Sequence, residues 1–110
     1  MKAVVIREHG GIDKLLYEDV EKPSAGPGEV LVKMMASGVC HSDWHVVKGE
    51  FLTQSDMPIV LGHEGAGIVE AIGQRVTSVK AGDHVILSWR ASCGLCEMCQ
   101  MGWVNLCQRP

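Results

Sequence analysis

Hydrophobic and polar residues alternate in short stretches along most of the chain. A β-branched run at residues 4–6 is followed, after the turn signal Gly10-Gly11, by a second apolar stretch at residues 15–20. Two such runs separated by glycine predict a hairpin of two short strands. A segment rich in proline and glycine at residues 23–28 then leads into residues 29–34, whose alternation predicts a third strand.

The remaining chain combines a short helix with further strands. Alternation stops over residues 40–48, where either Ser37 or Ser42 could cap a short helix. Residues 59–73 predict a strand, although its early glycines weaken that strand unless the backbone passes close to another group. Another strand is expected over residues 84–88. The pattern predicts a mainly β (α+β) fold: a partly open β-barrel or folded sheet with one or two helices.

Composition narrows the class of protein. The chain has 110 residues with 46% hydrophobic content, which fits one compact domain and not two. A net charge of -3 offers no cationic field, so a nucleic-acid partner is not expected. No apolar run approaches the roughly 20 residues that cross a bilayer, so no membrane partner is expected either. The five cysteines and the absence of a secretory h-region at the start predict a cytoplasmic protein with reduced thiols.

Four of the five cysteines are clustered. Cys93, Cys96, Cys99 and Cys107 have the spacing C-x2-C-x2-C-x7-C, and four thiolates satisfy a tetrahedral zinc ion completely. Such a zinc has no open position, so it is expected to be structural. Two disulfides are an alternative that conflicts with a reducing compartment. An iron–sulfur cluster is the closer alternative, although ferredoxin-type runs place the last cysteine differently and before proline.

A second group of metal-binding residue types lies outside this cluster. Cys40 and His63 would each, taken alone, more often be an ordinary structural residue. Together with the carboxylate of Glu64 they are the ligand types of a catalytic zinc that keeps one position for substrate. Asp43 could orient an imidazole through its second nitrogen. The residues alone supply two ligands and a candidate third, which is not a complete count.

These motifs together resemble a known family. The segments CHSDWH at residues 40–45, GHEGAGIVEAIG at 62–73 and GDHV at 82–85, followed by the cysteine cluster, look like the start of a zinc-dependent alcohol dehydrogenase of the medium-chain dehydrogenase/reductase family. The resemblance covers essentially the whole chain. It implies that residues 1–110 are the N-terminal part of a GroES-like catalytic domain, incomplete at its C-terminus. Residues from about 89 to 110 would form a zinc-binding lobe, which we call the cysteine lobe.

The resemblance also implies roles for the metal ligands. Cys40 and His63 would bind the catalytic zinc, with Glu64 beside the metal and able to enter its ligand shell. Asp43 would be the hydrogen-bond partner of His63. Complete family members continue with a nucleotide-binding domain and a further cysteine ligand, and neither is expected within these 110 residues. The only glycine-rich candidate, residues 65–70, has Glu where a dinucleotide fingerprint needs its last glycine.

The resemblance implies a proton relay and a substrate pocket as well. Ser42 would accept the proton of the zinc-bound alcohol and pass it through cofactor hydroxyls to His45, whose imidazole titrates near neutrality. His41 would face a cofactor phosphate. Trp89 would line the substrate pocket, the alternative for this residue being ordinary core packing.

The expected function follows from these roles. The complete enzyme would oxidise a primary or aromatic alcohol, or a thiol–formaldehyde adduct, with hydride transfer to NAD or NADP. The small-molecule alcohol or aldehyde would be its partner, the complete enzyme would form a homo-oligomer, and the 110-residue chain alone would be inactive. Two alternatives remain: a stand-alone zinc-binding interaction module without catalysis, and a redox or iron–sulfur protein.

Overall fold

The computed structural model describes residues 1–50 and 56–109. The regular elements are, in chain order, β1 (Lys2–Ile6), β2 (Leu16–Asp19), β3 (Val30–Ser37), α1 (His41–Lys48), β4 (Ile59–Val60), β5 (Gly65–Ile72), β6 (His84–Ile86) and α2 (Glu97–Gln100). Single 3-10 turns lie at Ile12–Lys14 and Val104–Leu106. The predicted mainly β class with one or two short helices is confirmed.

The first sheet contains the predicted hairpin. Its strands run in the order β2-β1-β4, and all neighbours are antiparallel. Lys2 lies opposite Asp19 in the hairpin, and Ile6 on the other side of β1 lies opposite Ile59. Because β1 is the central strand, its residue Ile6 is completely buried.

The second sheet positions the candidate site. Its strands run in the order β3-β5-β6, also antiparallel, and the β3–β5 ladder extends from Val30 opposite Ile72 to Ser37 opposite Gly65. A side chain at Gly67 would overlap the Lys33 carbonyl oxygen of the neighbouring strand. The glycine therefore marks a close backbone approach, as its position inside a strand predicted.

Two details of the expected element map are wrong. Residues 59–73 form two strands and not one, because Gly62 adopts a left-handed conformation with φ +106° that a strand cannot continue through. β4 consequently joins the first sheet and β5 the second. Neither Ser37 nor Ser42 is the N-cap of α1; Cys40 occupies that position, and its backbone N–H donates to the Asp43 carboxylate.

The two sheets do not close into a barrel over the residues that the structure describes, which agrees with the partly open arrangement predicted. The best-buried aliphatic side chains come from β1, α1 and β5, and they are Val5, Ile6, Val47 and Val69. Within residues 1–50 and 56–109, the helices are all too short or too polar to cross a membrane.

Candidate metal centres

The four clustered thiols converge in space. All four sulfurs lie within 4.8 Å of one another, and each cysteine is free. Cys96 Sγ is 3.5 Å from Cys99 Sγ and 4.0 Å from Cys107 Sγ. A tetrahedral zinc with Zn–S bonds of about 2.3 Å sets its sulfurs about 3.8 Å apart, whereas a disulfide needs about 2.05 Å. The sulfurs therefore already have the spacing of a zinc site and not that of two disulfides.

The local backbone folds around these sulfurs. Gly94 and Gly102 have φ of +69° and +86°, left-handed values that favour glycine, and they bend the chain on either side of α2. The bend directs the backbone N–H groups of Leu95 and Cys96 at Cys93 Sγ, at 3.4 and 3.3 Å. Donors aimed at sulfur stabilise the thiolate, which is the form that binds metal.

The thiols in the cysteine lobe differ in acidity. The backbone N–H of Gln108 is the main cause that lowers the pKa of Cys96 to about 6. The backbone N–H of Cys93 similarly lowers the pKa of Cys107. Burial raises the pKa of Cys99 to about 12, helped by the neighbouring sulfur of Cys96. The metal-free lobe therefore holds thiols of unequal acidity, and metal binding must displace the proton of Cys99.

The second group of ligand types is also brought together. The sulfur of Cys40, a ring nitrogen of His63 and a carboxylate oxygen of Glu64 lie within 4.8 Å of one another. Cys40 comes three residues after the end of β3, and the other two residues directly precede β5. Because Ser37 pairs with Gly65, the ladder between these strands brings the two segments to the same end of the sheet.

Asp43 connects the helix to the imidazole. Its Oδ1 lies 3.2 Å from Nδ1 of His63, and its Oδ2 accepts the backbone N–H of Cys40 at 3.2 Å. A carboxylate can only accept, so Nδ1 of His63 carries the proton and Nε2 is left for a metal. This is the arrangement in which a carboxylate orients a zinc-binding histidine.

The electrostatics of this group favour charged forms. The hydroxyl of Ser42, 3.2 Å from the sulfur of Cys40, is the main cause that lowers the pKa of Cys40. The pKa of His63 is raised, chiefly by Cys40 and further by Asp43. A sulfur with a lowered pKa beside an imidazole is a donor set that fits a divalent metal of zinc type.

An open cleft of about 490 Å³ lies over these ligands. Its lining combines polar and apolar groups; the lining residues are Cys40, Ser42, His63, Glu64, Gly65, Ala66, Ile86, Leu87 and Trp89. The indole of Trp89 is 73% exposed, and its centroid is 5.3 Å from the ring of His63. Within the described residues Trp89 is therefore not packed into the core, and its position on the cleft is consistent with the predicted pocket role.

The other two histidines predicted for the site lie on α1 and are not part of the cleft lining that the structure describes. Nδ1 of His41 is 2.9 Å from Nε2 of His45, and the rings meet edge to face. Nδ1 of His45 is paired with the carboxylate of Glu50. No motif pointed to Glu50; the available signal was Gly49, a helix-ending glycine that turns the next residue back toward the helix.

Gly38 was missed by the sequence reasoning as well. Its backbone N–H donates to the carbonyl oxygen of Glu64 at 2.9 Å. A Cβ on Gly38 would overlap the Glu64 carboxylate. The absence of a side chain here therefore lets the Glu64 carboxylate lie near Cys40. A glycine two residues before a candidate ligand was the available signal.

Comparison with known families decides the class of domain. The family model "Alcohol dehydrogenase GroES-like domain" matches residues 26–110, which is most of the chain. The chain belongs to the alcohol dehydrogenase GroES-like domain family. This confirms the resemblance carried by the CHSDWH and GHEGAG segments, and it confirms the fold that the resemblance implied.

Individual relatives of this GroES-like domain agree with the family match. An alcohol dehydrogenase of Moraxella sp. (strain TAE123) is 47% identical over 109 residues, which are 98% of this chain and 32% of that protein. One from Geobacillus stearothermophilus is 42% identical over 110 residues, 99% of this chain and 32% of that protein. The chain therefore spans about a third of the length of these relatives.

Solved structures show the same relation. A crystal structure of an NAD-dependent alcohol dehydrogenase superposes with a TM-score of 0.83 at 41% identity, covering 99% of this chain and 32% of that one. A thermostable alcohol dehydrogenase from Pyrobaculum aerophilum, described as bound to cobalt and zinc, superposes with a TM-score of 0.86 at 38% identity. This match also covers 99% of this chain and 32% of that one.

Proposed function

We propose that this GroES-like domain is the N-terminal part of the catalytic domain of a zinc-dependent alcohol dehydrogenase. The observation that carries the proposal is the convergence of Cys40, His63 and Glu64 beneath an open cleft. Three ligand types of that kind, with space above them, are typical of a catalytic zinc that binds its substrate directly. The reaction is the oxidation of a primary or aromatic alcohol, or a thiol–formaldehyde adduct, with hydride transfer to NAD or NADP.

The cysteine lobe has a different role in this proposal. Four thiols at tetrahedral spacing leave no position for a substrate, so Cys93, Cys96, Cys99 and Cys107 hold a structural zinc. Binding of that metal supplies folding free energy to a segment whose regular structure is limited to α2 and one 3-10 turn.

Residues in the cleft divide the chemical work. Cys40, His63 and Glu64 would hold a zinc ion there, and such an ion would polarise the alcohol oxygen and lower its pKa. Asp43 fixes the ring orientation of His63, and Glu64 is an additional oxygen donor beside it. Ser42 lines the cleft next to Cys40, so its hydroxyl can take the proton that the alcohol loses.

His45 and His41 serve the cofactor side of the reaction. His45 is the base that finally receives the proton released at Ser42, because a neutral imidazole has one ring nitrogen that can accept a proton. His41 stands at the first position of α1, and we assign it to a phosphate of NAD or NADP, an anion that a helix N-terminus also favours.

The substrate class follows from the apolar wall of the cleft. Ile86, Leu87 and Trp89 line the cleft together with the ligands, and an apolar lining with an exposed indole suits an aromatic alcohol. The nucleotide-binding domain that the proposal requires would lie outside residues 1–110, which match 32% of the Moraxella relative. We further propose that the complete enzyme is a cytoplasmic homo-oligomer and that residues 1–110 alone are inactive.

A chimera tests the proposed activity. Residues 1–110 replace the matching part of the Moraxella sp. alcohol dehydrogenase, to which they are 47% identical. We expect alcohol-dependent reduction of NAD or NADP, measured by absorbance of the reduced nicotinamide. Cys40→Ser should abolish the activity while the chimera keeps its lobe zinc. A folded, zinc-loaded chimera without activity on any primary or aromatic alcohol would overturn the proposal.

The alternative of a stand-alone zinc-binding interaction module is favoured by one observation. All four ligands of the cysteine lobe lie within fifteen residues, so the lobe can close around a metal independently of the cleft. That function predicts an inactive chimera together with a reproducible partner that the 110-residue chain captures, and that Cys99→Ser no longer captures.

A further inference from the structure

Glu50 is held against the helix that carries His45 by its backbone as well as its side chain. α1 ends at Lys48, and Gly49 follows with φ +82°, a left-handed value that reverses the chain. The backbone N–H of Glu50 then donates to the carbonyl oxygen of His45 at 2.9 Å. The carboxylate of Glu50 is paired with Nδ1 of the same residue.

This pairing decides which nitrogen of His45 carries the proton. An ionised carboxylate is only an acceptor, so Nδ1 of His45 must be the donor and Nε2 keeps its lone pair in the neutral ring. Nδ1 of His41 lies 2.9 Å from that Nε2 and therefore donates to it. The hydrogen bonds thus run in one direction, from His41 to His45 to Glu50.

Glu50 remains ionised at neutral pH. Hydrogen bonding with His45 is the main cause that holds the pKa of Glu50 below its usual range, and the Lys48 ammonium, 3.9 Å from the carboxylate, contributes in the same direction. The carboxylate therefore stays an acceptor under the conditions in which an alcohol dehydrogenase would work.

We propose that Glu50 is a positioning residue that keeps His45 in the tautomer able to accept the relay proton. The inference rests on the proposed function, because it assigns a task to the relay base of that function. The proton that Ser42 takes from the alcohol finally bonds to Nε2 of His45, while the Nδ1–H bond to Glu50 stays intact. The imidazolium then returns its Nε2 proton to water, so no net charge accumulates. His41 gives up its bond to Nε2 when the proton arrives.

The first test observes the tautomer in the 110-residue chain itself. Long-range ¹⁵N–¹H correlation spectra above the titration range of histidine distinguish Nδ1–H from Nε2–H rings, and His45→Gln assigns the signal. We expect the Nδ1–H form in the unsubstituted chain and a shift toward Nε2–H in Glu50→Ala. Glu50→Gln should retain Nδ1–H, because its amide oxygen still accepts. Glu70→Ala is the matched control, because it removes a carboxylate on β5 that is likewise in an ion pair, with Lys22.

The second test measures catalysis in the chimera described above. We expect Glu50→Ala to lower kcat about tenfold with little change in KM for the alcohol, by analogy with the 10- to 100-fold effect of carboxylates that orient metal-binding histidines. Glu50→Gln should restore most of the rate. Glu50→Ala combined with His45→Gln should lower kcat no further than His45→Gln alone, because both substitutions disable the same proton acceptor.

The outcomes separate this inference from the function on which it rests. An unchanged His45 tautomer in Glu50→Ala, or an equal loss of rate with and without His45, would overturn the positioning role in an active enzyme. A folded chimera that is inactive before any substitution would overturn the proposed function, and the catalytic role of Glu50 with it. The tautomer measurement would still show whether Glu50 determines which ring nitrogen of His45 carries the proton.

Discussion

The cysteine lobe and the cleft bring their metal-ligating side chains together in opposite ways. The lobe takes all of its ligands from residues 93–107, and glycine-assisted turns bring the sulfurs to within 4.8 Å of one another. The cleft takes Cys40 from the end of one strand and His63 from the start of another, and a backbone ladder aligns them. One geometry is encoded by local chain bending and the other by sheet pairing.

The two centres also differ in exposure. Cys96 and Cys107 in the lobe are 7% and 1% exposed. The cleft ligands Cys40 and His63 are half-buried, and Glu64 is exposed. A closed, sulfur-only site is suited to permanent retention of a metal, whereas an open site with mixed ligands is suited to binding substrate.

The largest effect is expected from Cys99→Ser. Loss of one thiolate leaves the lobe zinc with three protein ligands, so we expect the zinc-to-protein ratio to fall by about one and Tm to fall by on the order of 10 °C. Elemental analysis and thermal unfolding measure both. The matched control is Cys40→Ser, the same change in the cleft, which should leave Tm nearly unchanged. Equal losses of Tm in the two variants would contradict a division between structural and open sites.

Chelation should separate the two metals by rate. Because the cleft ligands are open to solvent and include a carboxylate, we expect a chelator to remove cleft zinc at least about tenfold faster than lobe zinc. A metal-sensitive dye records the release as two phases. Cys40→Ser should lose the fast phase and keep the slow one. A single phase that both Cys40→Ser and Cys99→Ser abolish would show that the two centres are coupled.

Gly38→Ala should affect the cleft alone. The added Cβ must displace the Glu64 carboxylate, whose far end is free to move, so the fold should persist while cleft zinc affinity falls about tenfold. Competition with a metal-sensitive dye gives the affinity. Gly11→Ala is the matched control, because its Cβ would likewise meet a carboxylate, that of Asp13, outside the cleft. Combined with Glu64→Ala, Gly38→Ala should add nothing; an additional loss in that background would mean that Gly38 acts through the backbone.

The smallest effect concerns thiol reactivity as a function of pH. With lobe zinc bound and cleft zinc removed, Ser42→Ala should slow alkylation of Cys40 a few-fold at about pH 7.5, because the Ser42 hydroxyl is what mainly lowers the pKa of Cys40. Above the ordinary thiol pKa both chains should react alike. Mass spectrometry of the alkylated peptide measures the rate, and an unchanged rate at low pH would contradict this cause.

The pKa shifts of Cys40 and His63 make the folding stability depend on pH in opposite directions. The folded-state pKa of Cys40 is lowered, so its thiolate contributes stability above the unfolded-state pKa and loses it as pH falls through the folded-state value. The pKa of His63 is raised, so its contribution is complete below the unfolded-state pKa and is lost as pH rises through the folded-state value.

The parts of the fold that depend on local chemistry were predictable from sequence. The hairpin of β1 and β2 followed from β-branched runs around a glycine turn, and the sulfur cluster followed from its spacing. The break at Gly62 was not predictable, because apolar residues resume after His63 and Glu64 and only tertiary packing assigns β4 to the other sheet.

The candidate site shows the same limit. Cys40, His63 and Asp43 could be proposed because their residue types bind metals or orient ligands. Gly38 could not be proposed in this way, because its contribution is the space that it leaves for a side chain 26 positions later in the sequence. Glu50 likewise depends on the direction in which the chain leaves α1 at Gly49.

Asp43 gives the cleft a mechanical property that neither metal chemistry nor fold class implies. One carboxylate oxygen closes the first turn of α1 and the other holds the ring of His63. Fraying of that turn and rotation of the ring are therefore a single motion, and stiffening one stiffens the other. Metal binding at His63 should therefore slow amide hydrogen exchange in the first turn of α1, although the metal contacts only side chains.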